Sequence, residues 1–133
     1  MRRVADRVVL IDKAATSVHA GYRVTDYKTC VLSILGSLTA NMKIFIKGAA
    51  VDTRPDFTVQ SGRRQVTGNA WDYIDVVDLE DNASIDGDTG VDLSGNNVRL
   101  IEVNTNALDW LSVHSTNVIA GTVTVAGLFV TNE

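Results

Sequence analysis

Hydrophobic and polar residues alternate along much of this chain. Met42, Ile44 and Ile46 fall on one side of a period-two stretch and Lys43 and Lys47 on the other, which predicts an antiparallel strand with one wet face. Phe45 falls on the wet side, where it predicts cover for an edge or a contact with another subunit. Residues 29 to 35 alternate too, Cys30, Leu32 and Ile34 against Val31, Ser33 and Leu35. The last third predicts three strands in quick succession, over residues 98–103, 110–114 and 121–130, parted by turns that carry Asn, Asp and Gly. Shorter strands are predicted at 7–11, 18–25, 57–60, 73–79, 84–85 and 91–93. Ser94-Gly95-Asn96-Asn97 predicts a hairpin turn into the strand at Val98.

No amphipathic helix emerges, although Ala5, Ala14 and Ala15 would let residues 4–15 form a helical turn. Seven or eight usable strands with this turn spacing predict an all-β fold. Its form is a two-sheet antiparallel sandwich with jelly-roll or Greek-key connections. At 133 residues the chain fits one domain, large enough to bury a core without disulfide or metal staples. Abundant Val and Thr suit pleated surfaces. The one proline, Pro55, marks a turn at Arg54-Pro55-Asp56.

Charge changes the picture at the N-terminus. Residues 1–64 hold 11 of the 12 Lys and Arg but 5 of the 16 acids, and Arg99 alone opposes the acids of the remainder. Either the molecule has a basic and an acidic end, or interleaved strands mix the charges in space. The formal net charge of −4 argues against nucleic acid as the main partner. Residues 1–6, with Arg2 and Arg3, fit a mobile arm, and with Arg7 they are candidates for contact with a partner. The apolar run Val8 to Ile11 is too short for a signal-peptide core, and no segment approaches a bilayer span. These features predict a soluble chain made in the cytoplasm, without a membrane partner.

Candidate chemistry is sparse. Asp86-Gly87-Asp88-Thr89-Gly90-Val91-Asp92 resembles an oxygen-rich calcium loop, but Gly90 and Asn97 stand where the calcium-hand loop needs an acid. Solvated turn acids are the better reading, and no metal is expected. Cys30 is alone, so neither a disulfide within the chain nor a thiolate zinc set can form. It reads as a small buried hydrophobe. His19 and His114 stand in separate strands, and nothing in their spacing brings them together or to Cys30. Asp109, Ser112 and His114 are close in sequence, but Ser112 and His114 on one strand face lack the geometry of a nucleophile and its base. No catalytic residue and no cofactor follow. Trp71, Tyr73 and Trp110 could form a sugar-stacking platform; the stronger expectation is that Trp110 plugs the core and Trp71 caps a sheet end.

The C-terminal half resembles small virion structural proteins of tailed bacteriophages. The likeness rests on Trp71, Asp86-Gly87-Asp88-Thr89-Gly90, residues 98–104, Trp110, and the closing Gly121-Thr122-Val123-Thr124-Val125 strand. It implies a β-sandwich that decorates or cements the head and assembles as a homotrimer against the major capsid protein or other virion proteins, on the capsid surface. It also implies no catalytic residue. Two other expectations stand beside it: a tail or neck subunit, and a carbohydrate- or receptor-binding module built on Trp71 and Trp110.

Overall fold

The computed structural model describes residues 3–59, 69–116 and 121–132. Those residues form eleven strands and no helix. In chain order they are β1 (Arg3–Ala14), β2 (Val18–Arg23), β3 (Thr29–Leu38), β4 (Met42–Ala49), β5 (Asp72–Tyr73), β6 (Val76–Asp78), β7 (Ala83–Ile85), β8 (Val91–Leu93), β9 (Asn96–Asn104), β10 (Trp110–Thr116) and β11 (Gly121–Asn132). One sheet runs β1-β11-β3-β9-β6-β7. The other runs β2-β10-β4-β5, with β8 beside β5 on the free edge of β4. Every pairing is antiparallel. The first strand pairs with the last, and along most of its length the chain passes from one sheet to the other. That order is a jelly roll, one of the two connection patterns expected.

Period-two patterning explains the core. In β3 the side chains of Cys30, Leu32 and Ile34 are fully buried, and in β4 those of Met42, Ile44 and Ile46. Val123, Val125 and Phe129 of β11, Ile101 and Val103 of β9, and Leu111 and Val113 of β10 complete the inner layer. Each fully buried Val, Leu, Ile or Phe contributes about 1.5–3 kcal/mol of transfer free energy.

Several expectations are corrected. Residues 3–6 do not stand free as an arm but open β1 and pair with residues 129–132. Residues 1 and 2, with Arg2, lie outside the described residues. The stretch 73–79 is two short strands in different sheets. Ile74 crosses between them, donating its N–H to the Ile46 carbonyl, while Asp75 accepts from the Gly87 N–H. Ser94 to Asn97 does not turn a hairpin, since β8 pairs with β4 and β9 with β3. Residues 57–59 form a turn held by Asp56, whose carboxylate accepts from the Thr58 N–H and hydroxyl. The helical alternative at residues 4–15 gives way to strand, with irregularities near Ile11 and Lys13. Lys13 has φ of 47°, and its N–H turns to the Thr124 hydroxyl.

The charges partly separate in space. Asp75, Glu80, Asp81, Asp86 and Asp88 gather around β6 and β7, whereas Asp78 pairs with Arg99, Asp92 with Lys43, and Asp52 with Arg23. Among the described residues the basic ones other than Arg99 are shared between β1, at the opposite edge, and the smaller sheet with its loops.

Candidate functional site

Two surfaces of the sandwich carry features beyond the core. The first is a cleft on the outer face of the smaller sheet. Register places His19, His114 and Phe45 in one row across β2, β10 and β4, and Gly21, Ser112, Lys47 and Tyr73 in the next. Residues 50–59 and 69–71 fold over this face, and Ala49, Phe57 and Trp71 form a small buried cluster beneath them. The space left open measures about 210 Å³ and is lined by Phe45, Thr58, Trp71, Tyr73, Lys47 and the two histidines, among others.

The sequence predicted neither the histidine pair nor the fate of Lys47. His19 and His114 are 95 positions apart, yet β2 and β10 are neighbours and the two rings stack with centroids 3.5 Å apart. Lys47, expected on a wet face, is 5% exposed because the covering segment buries it. Its Nζ donates to the Phe57 carbonyl at 3.1 Å, lies 3.5 Å from His19 Nε2, and sits 4.6 Å from the centre of the Trp71 ring. Cation–π attraction and the carbonyl stabilise an ammonium that has no carboxylate partner among the described residues.

Burial lowers the Lys47 pKa. It also lowers that of His19, aided by the Lys47 charge and opposed by Asp56. His114 is pushed down to about 4, by burial first and then by His19 and Lys47. At neutral pH both rings are therefore uncharged, and the His19 lone pair can face the ammonium.

The aromatic residues are largely spent on one another. Trp71 is 5% exposed, meets Tyr73 edge-on at 5.3 Å and Phe57 at 6.2 Å, and gives its N–H to the Val59 carbonyl. Trp110 does not plug the core. It stands half-buried on the outer face, with the Arg23 guanidinium 5.4 Å from its ring centre and its N–H on the Asp52 carbonyl. Phe45 lies against Tyr73 and His114, on β4 between the stretches paired to β8 and to β5. The buried Ser112 hydroxyl makes no hydrogen bond to His114 or to any other described group. Cys30 stays in the main core, apart from both histidines. Among the described residues no group of three or more His, Cys, Asp or Glu is arranged to hold a metal ion.

The second surface is the outer face of the six-stranded sheet. Arg7 is exposed there on β1, and a trough of about 460 Å³ runs between Arg7, Val31 and Leu128 over Ser33 and Ala126. Val9, Leu35, Val98 and Leu100 stand exposed on it.

No protein-family model matches the chain, and no curated protein matches it. Among solved structures the chain is similar to the crystal structure of the SPBc2 prophage-derived protein YomS. The TM-score is 0.69 at 14% identity, over 98% of this chain and 96% of that one. The likeness is one of fold. It runs end to end, so neither protein carries a large insertion relative to the other.

Proposed function

We propose that the chain is a structural virion protein of a tailed phage, a decoration or cement subunit on the outside of the capsid. What supports this reading is the end-to-end likeness in fold to a prophage-derived protein. The C-terminal sequence pattern points the same way. A stiff two-sheet scaffold with an apolar outer face suits a subunit that works by contact. Its partners would be other copies and the major capsid protein. A cement subunit binds the assembled lattice and not its dissociated parts, so it stabilises the shell by mass action. Each contact can be modest, because repetition over the lattice multiplies them.

A glycan platform draws less support, since Trp71 is buried and one face of its ring is occupied by Lys47. The decisive experiment is mass spectrometry of purified phage particles, with heads and tails separated. The chain is expected with the heads at a copy number that follows the capsid lattice. Recovery with tails alone would move it to a tail or neck role, and absence from particles would overturn a virion role altogether.

A further inference from the structure

The chain treats the two outer faces of its sandwich differently. It roofs the smaller sheet with its own residues 50–59 and 69–71, whereas no segment among the described residues folds over the outer face of the six-stranded sheet. Strand register sets that face in rows. Arg7, Leu128, Val31 and Glu102 lie side by side across β1, β11, β3 and β9. The next row is Val9, Ala126, Ser33 and Leu100, and beyond it come Thr124, Leu35 and Val98. Val9, Leu35, Val98 and Leu100 are 58%, 51%, 60% and 46% exposed. Single exposed apolar residues need no explanation, but four large ones on one sheet face do. Across these four strands Arg7 and Glu102 stand on the outer two in the same row, and Asp12 and Lys13 lie beside Thr124 at the β1 edge of the third.

We propose that this face pairs with the same face of a second copy of the chain, about a two-fold axis running along the strands between β11 and β3. Such an axis lays β1 over β9 and β11 over β3. Arg7 then meets Glu102 of the partner subunit, and the symmetry repeats that pair at the other end of the row. Between them Leu128 faces Val31, and Val9 faces Leu100. The strands of the two copies run aligned, in the manner of stacked sheets about 10 Å apart. A two-fold contact demands this kind of self-complementarity, which an unrelated partner would not require.

The area sets the strength. Four strands about 4.8 Å apart and some eight residues long cover on the order of 500 Å² per copy. A standard stable interface takes about 800 Å² from each partner. The trough over Ser33 and Ala126 falls on the axis, so the centre of the contact is wet rather than packed. Association is therefore reversible, and the contact closes at two copies, unlike the homotrimer the sequence suggested.

Sedimentation of the full chain from about 1 μM to about 1 mM tests this, since a wet contact below standard size belongs in the micromolar range or weaker. A monomer–dimer equilibrium is expected. Arg7→Glu or Glu102→Arg alone should weaken it about tenfold, and the two together should restore it to within about threefold. Leu100→Lys, at an exposed position, should abolish it, with an unchanged thermal midpoint showing that the fold is intact. A strict monomer, a closed trimer, or a dimer indifferent to all three variants would overturn the pairing. A monomer whose attachment to particles is lost in Leu100→Lys would assign the face to another virion protein and overturn it as well. The particle experiment above judges the virion role independently: a dimer absent from particles keeps the contact and loses the role.

Discussion

Acidification should destabilise this protein well above the range in which its carboxylates titrate, and the cleft over β2, β10 and β4 is the cause. His114 has its pKa pushed down to about 4 in the folded chain, against 6.5 for an unconstrained histidine. His19 is lowered as well. For a base with a lowered folded pKa, the unfolded chain takes up the proton first as pH falls. Stability is then complete above about pH 6.5 and declines toward about pH 4. The groups facing the pair are Lys47 from β4 and Asp56 from the covering segment. Only Asp56 favours protonation, and its carboxylate already serves Thr58.

At full strength the His114 shift amounts to about 2 kcal/mol by about pH 5. The cleft admits solvent, so screening leaves roughly 1 kcal/mol. Urea unfolding followed by tryptophan emission at pH 7.5, 6 and 5 measures this loss, and His114→Gln should flatten the slope. Asp78 separates cleanly from the effect. Its carboxyl is held below the usual range by the Glu80 N–H and by Arg99, so its contribution is lost only at lower pH. Two outcomes would refute the reasoning: a wild-type stability that stays flat from pH 6.5 to 5, or an unchanged slope in the His19→Gln, His114→Gln double variant.

Two further outcomes test the core. In Gly127→Ala the added methyl would come within 2.6 Å of the buried Phe129 ring and 3.3 Å of Leu32. The expected cost is about 1–3 kcal/mol, and an unchanged thermal midpoint would show that the inner layer gives way more easily than its packing suggests. Burial pushes the Cys30 thiol up to about 12. It should resist a disulfide reagent at pH 8 in the native protein and react fully in urea; rapid native labelling would mean that β3 opens readily.

The sandwich was legible because its signal is local. Alternation at Met42 to Lys47 and in residues 29–35 fixes which side chains turn inward, and both strands form as expected. The cleft was illegible because it is made by register and by a covering segment. Period-two patterning puts Lys43 and Lys47 on the same face, and only the fold of residues 50–59 decides that Lys47 is buried. The meeting of His19 and His114 depends on β2 and β10 being neighbours, which no spacing along the chain encodes. The split of residues 73–79 was hidden because Tyr73 and Val76 are both good strand residues. What breaks the run is the passage of Ile74 from one sheet to the other.

The treatment of the two faces bears on what the molecule is for. In a solitary sandwich each outer face can meet water through polar side chains, as the lysines of β4 at first suggest. This chain instead gives Phe57 and Trp71 to roofing one face, and accepts a buried ammonium under that roof. Burying Lys47 costs desolvation that its carbonyl and ring partners offset only in part, so a polar surface with no roof would have been the simpler solution. Among the described residues the other face has no such cover, although Val9, Leu35, Val98 and Leu100 would be easy to replace by polar residues without touching the core. The pairing proposed for the six-stranded sheet would account for this difference between the two faces. Arg7 and Glu102, on the outer two of the four strands there, would then set the register of contact while the apolar rows between them supply most of its strength.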